Sequence, residues 1–60
     1  MDAIRTMQTA RALLDAQGGK AEAEAARRAR EMAAAGKNGE AETWHRIRQA
    51  IRQLRGPIST

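Results

Sequence analysis

Ala41, Trp44, Ile47, Ile51 and Leu54 follow one another at intervals of three and four residues. That spacing places their side chains on one face of an α-helix. The stripe holds the only aromatic residue of the chain. His45, Arg48, Arg52 and Arg55 recur beside it at the same helical interval. One segment near the C-terminus therefore combines the strongest core signal with the strongest surface signal. Trp44, Ile47, Ile51 and Leu54 are the expected core anchors, with Trp44 at their head.

Glycine divides the rest of the chain. Gly18-Gly19 and Gly36-Lys37-Asn38-Gly39 mark the positions where a helix can end in the left-handed conformation without a Cβ clash. Three helices are expected, over about 2–17, 20–35 and 40–55. Asp2 and Asn38 are placed to cap the first and third, and Gly56-Pro57 stops the last. The first presents Ile4, Met7, Ala10 and Leu14, with Ala3 and Leu13 beside them. The second presents a narrow face of Ala21, Ala25, Ala29 and Met32. Glu24–Arg28 and Arg27–Glu31 are (i, i+4) pairs in the favourable order. Short connections between helices of similar length predict an all-α, up-down-up three-helix bundle. It forms a single domain over residues 1–56 with a short tail at 57–60.

The core available to such a bundle is small. Hydrophobic residues make up 42% of the 60-residue chain, much of it alanine, and Phe, Tyr and Cys are absent. A chain below roughly 70–80 residues rarely draws more than about 3–5 kcal/mol from one core, and without cysteine no disulfide or thiolate-held metal adds to it. Part of the Ile4/Met7/Leu14 or Trp44/Ile51 surface should stay under-covered, which makes a homodimer or a larger protein partner the expected source of further stability. No apolar run approaches the ~20 residues of a membrane span. The first residues lack the basic-then-apolar layout of a signal peptide, so cytoplasm is the expected compartment.

Charge is unevenly spread. The formal net charge is +4, and residues 41–60 hold four arginines against Glu42 alone. A local excess of this kind suits an acidic partner. Arg48, Arg52 and Arg55, with His45, are the expected partner-binding residues, and protonation of the imidazole would extend the basic stripe. Two partner classes fit: an acidic protein surface, or nucleic acid reached through Arg46, Arg48, Gln49, Arg52 and Gln53, which are side-chain types that contact phosphates and base edges. The protein partner is favoured. The turn before the last helix is long for a helix-turn-helix, and the acids of the second helix dilute the field.

Catalytic chemistry finds little footing. There is one His, one Ser and no Cys or Tyr, and no glycine-rich phosphate loop. Glu42 and His45 spell half of a carboxylate-bundle metal motif, but that motif needs both ligands inside the bundle. Here they fall opposite Trp44 and Ile47. The expectation is a non-enzymatic protein with no cofactor, no metal and no small-molecule substrate: an interaction module or regulatory subunit.

Ala29, Met32, Gly36, Ala41 and Trp44 form the series A-x2-M-x3-G-x4-A-x2-W. It resembles the helical hairpin of tetratricopeptide repeats, which packs small residues and an aromatic around a glycine turn. Arg28 and Arg48 depart from that pattern, standing where the repeat prefers a large apolar residue and an alanine. The resemblance implies hairpin geometry and a protein-binding habit. The tract from Ala21 to Leu54 is also similar to short, uncharacterised bacterial proteins rich in alanine and arginine, and that similarity implies no activity.

Overall fold

A computed structural model describes residues 3–56, and every regular element among them is helical. Helix α1 spans Ala3–Gln17, α2 spans Ala21–Ala34 and α3 spans Asn38–Arg55. Gly18–Lys20 between α1 and α2 forms one turn of 3-10 helix. The expected Asp2 cap, Pro57 and the tail at 57–60 lie outside the described residues.

The 3-10 turn corrects the expected three-helix bundle. The first glycine pair does not open a loop: one 3-10 turn, entered through the left-handed Gly18, joins α1 to α2, so every residue from Ala3 to Ala34 is in helical structure. Only residues 35–37 break it, leaving two continuous helical stretches. The first of these is bent. Thirty-two residues of straight α-helix would measure about 48 Å, whereas the longest dimension of the molecule is 37 Å. Gly18 supplies the bend with φ +56°, a value that costs glycine little. Helix α3 lies against both arms, while α1 and α2 share few contacts with each other. The third helix is thus the shared packing partner, where an up-down-up bundle gives that place to the second.

The turn between α2 and α3 is a Schellman motif. Gly36 takes φ +79°, its N–H donates to the Ala33 carbonyl at 3.1 Å, and the Lys37 N–H donates to the Met32 carbonyl at 2.8 Å. Helix α3 starts earlier than its sequence suggests. Lys37 is the residue preceding the first helical turn and Asn38 is already inside it, with no side-chain cap. Asn38 is therefore not the N-cap that its residue type suggests.

Alanine sets the packing. Ala21, Ala25 and Ala29 are fully buried along one edge of α2. With only a methyl group at each position, α3 can approach toward the near end of the ~8–10 Å helix-packing range. Ile47 and Ile51 fill the contact and are the largest fully buried side chains. Ala10 of α1 and Ala50 of α3 complete the cluster, with Leu13, Leu14, Trp44 and Leu54 packed at its margin. Trp44 and Leu54 are half-buried, so the centre of the core belongs to the isoleucines and not to the indole. On α1, Thr6 is buried while Ile4 remains 70% exposed and Met7 37% exposed. This is the under-covered apolar surface expected from so small a core.

Candidate functional site

The edge of α3 facing α2 carries the basic residues singled out by the sequence. Arg48, Arg52 and Arg55 project from three successive positions at intervals of four and three, and all three turn to one carboxylate. Arg48 Nε lies 3.7 Å from Glu22 Oε2, Arg52 Nε lies 3.7 Å from the same oxygen, and Arg55 Nη1 lies 3.5 Å from Oε1. Glu22 stands in the first turn of α2, where the helix dipole also favours a negative charge. Three guanidinium groups against one carboxylate leave a local excess of two positive charges. The side chains of all three arginines keep more than a third of their surface in water, so each pair contributes little to stability.

Hydrogen bonding within the cluster is incomplete. Only Arg55 Nη1 reaches hydrogen-bond distance of Glu22, at 3.5 Å. Arg48 Nε is buried and has no hydrogen-bond partner. A guanidinium has five N–H donors and a carboxylate about four acceptor sites, so donors far outnumber acceptors here. Beside the cluster is a cleft of about 340 Å³ lined by Gly19, Glu22, Ala23, Ala26, Arg48 and Arg55. Its wall of glycine and alanine leaves room at the α2 face.

Several other cations among the described residues are held by acids of their own helix. Arg27 bridges Glu24 at 2.7 Å and Glu31 at 3.0 Å, and Arg28 Nε donates to Glu24 at 2.7 Å. Arg46 meets Glu42 at 2.9 Å, and Lys37 meets Glu40 at 3.8 Å. The Arg28 and Arg27 hydrogen bonds hold the Glu24 carboxyl below its ordinary pKa, Arg28 having the larger effect. Arg28 also lies over the Trp44 ring, 5.1 Å from its centroid. An arginine fits this position because its stem can cover apolar surface while its head stays in water.

His45 does not join the arginine cluster. It lines a separate groove between α1 and α3, of about 460 Å³, together with Met7, Glu42, Arg46 and Gln49. Glu42 and His45 thus share a groove wall, but Glu42 is engaged by Arg46. Among the described residues no three His, Cys, Asp or Glu side chains gather as metal ligands would, and no helix is long and apolar enough to cross a membrane.

Glu22, Glu24 and Glu31 are the acids of the second helix that the sequence offers as partners for the arginine stripe, and the register between α2 and α3 selects Glu22. Arg28 forms the (i, i+4) pair with Glu24 that the spacing predicts; its contact with Trp44 had no signal in the sequence. Comparison of the chain with protein families, with curated proteins and with solved structures finds no match.

Proposed function

We propose that the chain is a small, non-enzymatic cytoplasmic interaction module, acting as an accessory or regulatory subunit, that docks an acidic protein through Arg48, Arg52 and Arg55. The observation that carries this reading is the convergence of those arginines on Glu22. It concentrates an excess of two positive charges on one edge of α3, beside a cleft lined by small residues. The pairing of Arg27, Arg28, Lys37 and Arg46 with local acids also favours a confined site over a broad phosphate-tracking surface. Affinity purification of the tagged protein, with and without nuclease, tests the reading. A partner retained after nuclease and lost in the Arg48→Ala/Arg52→Ala/Arg55→Ala variant supports it. Loss of all partners on nuclease treatment transfers the arginines to nucleic acid.

A second surface supports self-association. Ile4 and Met7 are exposed on α1, and Met7 borders the groove between α1 and α3. Two isoleucines and a set of alanines form the buried core, so pairing two copies over these apolar side chains would add burial that the single chain lacks.

A further inference from the structure

We infer that Glu22 is a resident counter-charge occupying the place of a partner's carboxylates, and that the docking segment of the partner is an acidic helix with glutamates or aspartates at intervals of three and four. This inference rests on the proposed docking role of Arg48, Arg52 and Arg55 and deepens it.

The geometry supports a placeholder over a finished ion-pair network. The three arginines are separated by seven residue steps along α3, about 10.5 Å along the axis, whereas Glu22 is a single group. Arg48 and Arg52 meet it only as ion pairs at 3.7 Å, longer than the ~2.7–2.9 Å of a charge-assisted hydrogen bond. The same chain forms such bonds elsewhere, with 2.7 Å between Arg28 Nε and Glu24. The buried Arg48 Nε remains without a hydrogen bond. One carboxylate thus meets three guanidiniums and accepts a hydrogen bond from Arg55 alone, at 3.5 Å.

A helix matches the row better. Side chains at intervals of three and four on a second helix lie along one face and repeat over the same ~10.5 Å. Each arginine could then receive its own carboxylate. The cleft lined by Gly19, Ala23 and Ala26 admits the approach of such a helix, because small side chains let backbones come close. As it docks, Glu22 loses its arginines and turns to solvent, to which its side chain is already 26% exposed.

The test uses a labelled acidic helical peptide with glutamates at this spacing and a control in which they are glutamines. Fluorescence anisotropy measures binding to the full-length protein, to Glu22→Gln and Glu22→Ala, and to the Arg48→Ala/Arg52→Ala/Arg55→Ala variant. Circular dichroism melts establish that each variant folds. The expected result is a rise in affinity of about three- to tenfold for both Glu22 variants, the scale of releasing three weak, exposed ion pairs. The control peptide should not bind. Equal or weaker binding by both Glu22 variants, with loss of binding in the arginine variant, makes Glu22 an organiser of the site; it overturns the inference and leaves the docking role intact. Peptide binding that does not depend on the arginines overturns both, as does tighter binding of a duplex oligonucleotide than of the peptide.

Discussion

The Arg28 guanidinium carbon stands 5.1 Å from the centroid of the Trp44 ring, so a charged residue of α2 roofs the only aromatic residue of α3. Such a contact adds about 0.5–1 kcal/mol at an exposed site. Trp44 is half-buried, whereas Ile47 and Ile51 are fully buried. Ile47→Ala and Ile51→Ala should each cost about 2–5 kcal/mol, close to the whole stability of a domain this small. Trp44→Ala should cost less, about 2 kcal/mol, below the ~3–5 kcal/mol of a fully buried aromatic. Urea denaturation of the three variants checks the order. A Trp44→Ala protein less stable than either isoleucine variant contradicts it.

The two glycines around the second turn should respond in opposite ways to alanine. Gly36 has φ +79° and no atom within 4 Å of an added Cβ, so the cost of Gly36→Ala is conformational, about 1–2 kcal/mol. Gly39 lies within the first turn of α3, and a Cβ there also meets open space. Gly39→Ala should stabilise the protein by about 0.4–1 kcal/mol. Thermal melts of the two variants measure both signs.

Much of the architecture is legible in the sequence. The three-and-four spacing in α3 identified Ile47 and Ile51. The alanine repeat identified the buried edge of α2, and Gly36 marked the turn. The first glycine pair marks the end of α1 and the left-handed Gly18, but not the 3-10 turn that joins α1 to α2 in place of a loop. The burial of Trp44 was overstated, because a face of methyl groups cannot surround an indole. The arginine row could be read from α3 alone, but its convergence on Glu22 depends on how two helices are placed side by side, and that information is spread over every contact between them.

Acid should loosen α2 through Glu24. The hydrogen bonds from Arg28 and Arg27 lower the pKa of this carboxyl in the folded chain. A lowered folded-state pKa means that the stabilisation is fully present above the unfolded value of about 4.3 and is lost as pH falls through the folded value. Glu24→Gln should therefore lower stability slightly at neutral pH, as removal of exposed ion pairs does, and flatten the acid limb of a stability-versus-pH curve, the two proteins converging below about pH 4.3. An acid limb unchanged by the substitution contradicts this. NMR titration of the Glu24 side chain should give a midpoint below that of a free glutamate.

Self-association through the face of α1 predicts a thermal midpoint that rises with protein concentration, as mass action requires of a coupled dimer. Met7→Glu should abolish the dependence by placing a charge at the edge of the groove between α1 and α3. Sedimentation giving the monomer mass, together with a midpoint constant over a hundredfold range of concentration, contradicts it.

The central claim is that the arginine edge of α3 receives acidic protein and not nucleic acid. Its most direct measurement compares, at physiological salt, the affinity of the protein for a glutamate-bearing helical peptide with its affinity for single- and double-stranded oligonucleotides. The account predicts arginine-dependent binding of the peptide, lost in Arg52→Glu, and oligonucleotide binding no tighter than about 10⁻⁴ M, the weak end of non-specific association. Sub-micromolar binding of an oligonucleotide would contradict it, if that binding is abolished by Arg52→Glu and falls with salt at a log–log slope near −3, the value for about three phosphate contacts.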